Sequence, residues 1–273
     1  MEKPQIAFIG AGNMASSILG GLIEAGQPAS KISASDPYPP SLENLQAIAP
    51  ISVSDSNEEA VKGAEVVILA VKPQVMADAC TSIAGALQAS GAVAISIAAG
   101  VTIESLQRRL GAEVPVIRCM PNTPALLGCG ASGLFASAQV SDTQKAFADS
   151  ILGAVGVNSW VSTEEELDAI TALSGSGPAY FFMFLESMIK VGIELGLEKD
   201  TANLLAKQTA LGASRMALEN DIDLEELRRR VTSPGGTTER AVASFEQGGL
   251  EDVVRKAMVA CADRAKEMSR EMG

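Results

Sequence analysis

Histidine is absent from this 273-residue chain. Without imidazole there is no Ser-His-Asp or Cys-His nucleophile and no histidine general base, and most zinc sites are excluded. The four cysteines, Cys80, Cys119, Cys129 and Cys261, are scattered and form no CxxC pair. That usage predicts reduced, buried thiols in a cytoplasmic protein and no disulfide framework. With no base to activate them, Cys119 and Cys129 read as packing residues and not as nucleophiles. Long basic runs are also missing and the net charge is −12, which argues against nucleic acid as a partner. No apolar region of signal-peptide length precedes the first strand-like run, Gln5–Ile9. The apolar stretch Ala179–Leu197 is interrupted by Glu186, Lys190 and Glu194, so it reads as a buried helix and not a membrane span. Internal repeats and low-complexity segments are absent.

What is present is an apolar fraction of 47% against 20% charged residues, enough for a substantial core in one large domain or two modest ones. Short β-branched or apolar runs occur at Gln5–Ile9, Lys31–Ser35, Val66–Leu69, Ala92–Ser96 and Val114–Arg118. Helix-like segments fall between them at Asn13–Ala25, Pro40–Ile48, Glu58–Lys62, Val75–Ala89 and Ile103–Leu110. This rhythm predicts an α/β fold with a doubly wound, mainly parallel sheet. Gly133–Ala136 and Val157–Val161 read as further strands around a helix at Asp142–Val155. From about Glu164 the strand signals vanish, and six helices are expected: Glu164–Leu173, Pro178–Leu195, Lys199–Leu218, Leu224–Val231, Thr237–Gln247 and Leu250–Met272. We therefore expect an N-terminal domain over residues 1–162 and an all-α domain over 163–273. The run Tyr180–Leu185 is apolar on nearly every side of a helix, which predicts a homodimer interface; the alternative is a central core helix in a monomer.

Gly10-Ala11-Gly12-Asn13-Met14-Ala15 follows a strand and opens a helix, the context required of the dinucleotide fingerprint. Gly10 permits the tight turn, Gly12 lets the backbone approach a pyrophosphate, and Ala15 allows close helix–strand packing. Asp36 follows the second strand where a carboxylate would accept from a ribose 2′-hydroxyl and repel a 2′-phosphate. This leans toward NADH, while Ser33 and Ser35 leave NADPH tolerated; a plain turn former before Pro37 is the other reading. Ala70-Val71-Lys72-Pro73 and Ala98-Ala99-Gly100 follow two further strands, where open α/β sheets bind ligands. Lys72 is one of few basic groups available there, and it reads equally well as a solvated surface lysine.

The stretch Val231–Thr238, with two adjacent glycines and four hydroxyl side chains, lies inside the helical half. Ser233-Pro234 disfavours helix before the proline, and Glu239-Arg240-Ala241-Val242 starts a new one. That places Gly235, Gly236 and Thr238 at a helix N-terminus, where free N–H groups attract a carboxylate or phosphate. A capped turn between helices explains the spacing equally well.

Taken in order, six segments resemble pyrroline-5-carboxylate reductases. They are Gly10–Ala15, Ala70–Pro73, Ala98–Thr102, Arg118–Pro124, Leu173–Tyr180 and Val231–Thr238. The resemblance spans nearly the whole chain, and its last two motifs are specific to that family. It implies an N-terminal Rossmann domain and a C-terminal helical domain for substrate binding and dimerisation, in dimers or a ring of dimers. It implies reduction of the cyclic imine 1-pyrroline-5-carboxylate to L-proline with NADPH or NADH, with no metal. Thr238 would hydrogen-bond the ring nitrogen, and Ser233, Gly235, Gly236 and Thr237 would hold the carboxylate. Ser35, Asp36 and Asn57 would lie near the cofactor ribose. Gly10, Ala11, Gly12, Asn13, Met14, Ala70, Val71, Lys72, Pro73 and Ala99 would complete the dinucleotide site. Asp221 falls where relatives often carry an acidic residue near the substrate. Asp36 departs from members that present a serine or an arginine-containing loop to a 2′-phosphate.

Two other functions use the same architecture. A 3-hydroxyacid-type dehydrogenase shares Ser174-Gly175-Ser176-Gly177 but needs a lysine a few residues later, and here the first is Lys190. Alcohol oxidation without that base and without histidine is difficult, whereas a protonated imine is already electrophilic. A non-catalytic dinucleotide-sensing protein would leave the 231–238 loop unexplained.

Overall fold

The structure, a computed structural model, describes residues 3–272. Its first half alternates β1 (Ile6–Ile9), α1 (Asn13–Glu24), β2 (Ile32–Ser35), α2 (Pro39–Ile48), β3 (Ser52–Ser54), α3 (Asn57–Ala60), β4 (Val66–Leu69), α4 (Met76–Ser90), β5 (Val93–Ser96), α5 (Ile103–Leu110) and β6 (Val116–Met120). Then come β7 (Gly130–Ala136), α6 (Asp142–Gly153), β8 (Gly156–Trp160) and α7 (Glu166–Ile170). The strands form one sheet in the order β3-β2-β1-β4-β5-β6-β7-β8. Every pairing is parallel except β6 with β7. Strands β1, β4 and β5 are buried at every position, as expected of central strands covered by helices on both faces. One apolar cluster, with Phe8, Ile18, Leu45 and Ile68, packs on one face; Ile9, Leu69, Ile83 and Leu106 belong to a second cluster.

Register decides where a ligand can sit. Ile9 stands opposite Ser35 and Leu69, Leu69 opposite Ser96, and Ser96 opposite Arg118. The segments that follow β1, β2, β4, β5 and β6 therefore emerge along a single edge, at the carboxyl ends of the strands. Because β7 runs antiparallel to β6, its first residues begin at that same edge.

The remaining helices are α8 (Gly177–Glu194), α9 (Lys199–Glu219), α10 (Leu224–Arg230), α11 (Thr237–Gln247) and α12 (Leu250–Met272). Contacts divide the chain into two units. One runs to Ser176 and regains the chain from Ala260 onward; the other is Gly177–Val259. The division falls fourteen residues beyond the expected boundary at 162, because α7 and the turn after it pack on β7, and the end of α12 returns to the sheet domain. There Met268 lies against Gly100, at the φ of +76° that suits glycine, and Ser105 Oγ donates to Met272 O at 3.4 Å. In the second unit α8 packs along α9, and the Phe184 and Phe245 rings lie 6.0 Å apart. No helix among the described residues is long and apolar enough to cross a membrane.

Candidate active site

The Gly10–Ala15 loop has the form a pyrophosphate requires. Gly10 sits at φ +97°, and a Cβ there would stand 2.7 Å from Ala70 O. Gly12 has nothing within 4 Å of its would-be Cβ and caps α1 with no side-chain hydrogen bond. An uncapped helix N-terminus beside open space is the arrangement that receives a phosphate, so these residues fit a dinucleotide. Ala15 is fully buried, Asn13 is exposed and Met14 half-buried.

The second strand is tied to this loop. Gly10 N–H donates to Ser35 O at 2.8 Å, and Ala11 N–H donates to Asp36 Oδ2 at 2.8 Å. Asp36 Oδ1 accepts from Tyr38 N–H at 2.8 Å. Each carboxylate oxygen retains a lone pair, so the pairing orients Asp36 without exhausting it. Ser35 is fully buried and donates its hydroxyl to Asn57 Oδ1 at 2.7 Å, and Asn57 Nδ2 donates to Ser82 Oγ at 3.0 Å. Ser33 is likewise engaged, with Ala60 O at 2.6 Å. Ala70, Val71, Pro73 and Ala99 are half-buried, and Lys72 is exposed where it opens the short 3₁₀ turn Pro73–Val75. The buried thiols of Cys80 and Cys119 are each pushed up to about 12 by burial, which keeps them protonated; Cys129 is exposed.

The 231–238 loop is a β-turn feeding a helix. Gly236 N–H donates to Ser233 O at 2.9 Å, with Pro234 and Gly235 at the centre and Gly235 at φ +73°. Proline followed by a left-handed glycine is the signature of a type II turn. Gly236 then caps α11 without a side chain of its own. Gly235 N–H is held by Glu239 Oε2 at 2.7 Å, so both glycine donors assigned to a carboxylate have partners inside the loop. The N–H groups of Thr237 and Thr238 belong to the first helical turn, which has no intrahelical acceptors. Thr232 Oγ1 donates to Arg228 O at 2.7 Å. A cleft of about 550 Å³ between α10 and α11 is lined by Asp223, Arg228, Arg229, Thr232 and Glu239 among others. Asp221 is exposed in the link before α10, and it is Asp223 whose side chain caps that helix through Glu225 N–H. The dinucleotide loop thus belongs to the first unit and the 231–238 loop to the second.

Two residues here were not singled out from sequence. Glu239 has a recognisable signal, an acidic residue at the third helical position, as in a capping box. Asn122 lies within Arg118–Pro124, yet nothing in its spacing announces that its side chain is buried and bonded at both ends.

Comparison with known proteins covers both units. Residues 164–268 match the family model for pyrroline-5-carboxylate reductase dimerisation, and residues 5–100 match that for coenzyme F420-dependent NADP oxidoreductases. A pyrroline-5-carboxylate reductase of Pseudomonas aeruginosa is 50% identical over 273 residues, the whole of both chains. The solved structure of the Coxiella burnetii pyrroline-5-carboxylate reductase superposes with a TM-score of 0.96 at 42% identity, over 98% of this chain and 99% of that one. The Plasmodium falciparum pyrroline carboxylate reductase, solved with NADP bound, has a TM-score of 0.85 at 28% identity over 98% and 99%.

Proposed function

Because the chain belongs to the pyrroline-5-carboxylate reductase family, we propose that it reduces 1-pyrroline-5-carboxylate to L-proline, the last step of proline biosynthesis, at the expense of NAD(P)H. The observation that carries this reading is the 50% identity over all 273 residues, which takes in both the dinucleotide loop and the 231–238 loop. When bound, NAD(P)H supplies the hydride that adds to the imine carbon. The chain's own residues bind and orient. The N-terminus of α1 holds the pyrophosphate, with Ala70–Pro73 and Ala99 beside the dinucleotide. Asp36 reads the ribose, and Ser35 and Asn57 brace one another behind it.

On the substrate side, Ser233 and Thr237 hold the carboxylate with the backbone of Gly235 and the first turn of α11, while Gly236, its N–H kept by Ser233 O, lines the site through the turn it closes. Glu239 yields the Gly235 N–H as the substrate arrives. Thr238 donates to the ring nitrogen, and water supplies the proton that nitrogen gains. Such a reaction requires a positioned imine, polarised through its nitrogen, and neither histidine nor metal. Asp221 stands nearby as an acidic neighbour. The helical unit assembles the chain into dimers or a ring of dimers, and the four free thiols suit a reducing, cytoplasmic location.

Asp36 makes NADH the better reductant in this reading, through acceptance from the ribose and repulsion of a 2′-phosphate. Steady-state oxidation of NADH and NADPH with 1-pyrroline-5-carboxylate, in the wild type and in Asp36→Ser, tests both points. Wild-type turnover is expected with either cofactor, and Asp36→Ser is expected to move the kcat/KM ratio toward NADPH by about tenfold, or 1.4 kcal/mol. Cofactor binding without turnover sinks the reductase reading. An unaltered NADPH/NADH ratio removes Asp36 from the ribose.

A further inference from the structure

The segment after α7 departs from α-helical bonding. Over Thr171–Gly175 the chain takes a π turn, and Ser176 N–H donates to Thr171 O, five residues back, at 2.8 Å. Such widened turns are frequent at functional sites. As α8 begins, the carbonyl of Ser174 would ordinarily accept from the residue four places on. That residue is Pro178, which has no N–H. The vacancy is filled from another part of the chain: Asn122 Nδ2 donates to Ser174 O at 3.0 Å. The other end of the same carboxamide accepts from Ala131 N–H at 2.9 Å. Asn122 is only 8% exposed, and a buried carboxamide bonded at both ends fixes three segments at once. These are the end of β6, the start of β7 and the π turn. Met120 closes the same junction, with its Cε 2.6 Å from where a Cβ on Gly175 would stand.

We propose that Asn122 is a positioning residue for hydride transfer, joining the end of β6 to the carbonyl that Pro178 leaves without a donor and so holding the wall of the nicotinamide site. This rests on the reading above that a dinucleotide lies along the carboxyl ends of β1, β4 and β5, the edge at which β6, paired with β5, also ends. Asn122 touches neither cofactor nor substrate. It acts through Met120-Pro121 and the π turn, whose small displacements change the approach of hydride donor to acceptor. Asparagine suits the role because it presents a donor to Ser174 O and an acceptor to Ala131 N–H together. Aspartate has the same shape, and only its protonated form can do both.

The test is Asn122→Asp, with kcat measured as a ratio to the wild type from pH 5.5 to pH 9 and with the NADH dissociation constant and Tm followed in parallel. The ionised carboxylate faces Ser174 O with no proton to offer, and the ratio is expected to fall about tenfold or more at high pH. It should recover as the pH drops through the raised pKa of the buried acid, with NADH affinity within about twofold throughout. A ratio near one at every pH, or a loss that does not respond to pH, overturns the proposal. Pro178→Ala gives a second test if Asn122→Asp folds poorly, since it restores an N–H to Ser174 O. Asn122→Ala should then reduce kcat less in the Pro178→Ala background than in the wild type, and an equal reduction in both overturns the proposal. A wild type without turnover fails the reductase reading itself, whereas wild-type turnover with an indifferent Asn122→Asp fails only this one.

Discussion

Thr238 and Glu239 are adjacent in the chain and are expected to separate in kinetics. In the proposed reaction Thr238 offers a hydroxyl to the ring nitrogen, an interaction that strengthens as the nitrogen gains electron density. Thr238→Ala should therefore lower kcat, by about tenfold to a hundredfold, with NADH affinity intact. Glu239 acts with the opposite sign. Its carboxylate rests on Gly235 N–H at 2.7 Å and opposes a second carboxylate at the same helix terminus. Glu239→Gln keeps an acceptor for Gly235 and removes the charge, so KM for the imine should fall about two- to fivefold with kcat little changed. Steady-state kinetics of the two variants reads both effects. A risen KM in Glu239→Gln would show that the charge is needed to hold the loop. The form of the loop was legible in the sequence, since Pro234-Gly235 announces its turn. Glu239's occupation of a glycine donor was not legible, because periodicity does not say where a long side chain folds back.

At the scale of elements, runs such as Ile6–Ile9 and Val66–Leu69 declare themselves by continuous apolar character, and α11 lies between Gly236 and Gly248 as those glycines predict. Strand β3 escaped notice because Ser52-Val53-Ser54 is a three-residue, mostly polar edge strand, without the pattern that buried strands carry. The π turn over Thr171–Gly175, which overlaps the end of the expected helix Glu164–Leu173 and runs past it, escaped because the side chain bonded to its Ser174 carbonyl, Asn122, is distant in sequence. The link between β6, α5 and the segment before α7 was also unreadable. Arg118 Nη1 lies 2.7 Å from Glu164 Oε1, with side-chain exposures of 9% and 24%, and the same oxygen accepts from Ile103 N–H at 2.8 Å. Beside them, burial pushes the Asp168 carboxyl up, against the pull of Arg118 and Lys266. Glu164→Gln strands the Arg118 charge among buried neighbours. It should cost about 3 kcal/mol and lower Tm by roughly 6–12 °C. Arg118→Met combined with Glu164→Met should recover part of that loss. A melting curve for Glu164→Gln within about 2 °C of the wild type would show that the pair contributes little.

At the scale of the whole molecule, the two units bury their apolar residues unequally. The sheet domain covers its central strands on both faces. In the helical unit α8 buries only Gly177, and α9 only Ala202 and Ala206. Phe181, Phe182 and Met183 are 65%, 62% and 71% exposed, and Leu204, Leu211 and Leu218 are exposed on α9. An apolar surface of this kind marks an interaction site, and residues 164–268 match a dimerisation family model. A net charge of −12 opposes association of two copies, so apolar contact must supply the attraction. A closed dimer would cover the same face on both chains, and a carboxylate placed within it would be buried without a partner. Phe182→Glu should therefore weaken association by about a hundredfold or more, moving the mass measured by light scattering at micromolar concentration from dimer, or an even multiple of it, toward monomer. Turnover should fall with the dimer if the helical unit needs its partner to hold the 231–238 loop in place. Retention of the wild-type mass by Phe182→Glu would place the interface on another face and leave the exposed side of α8 without a partner.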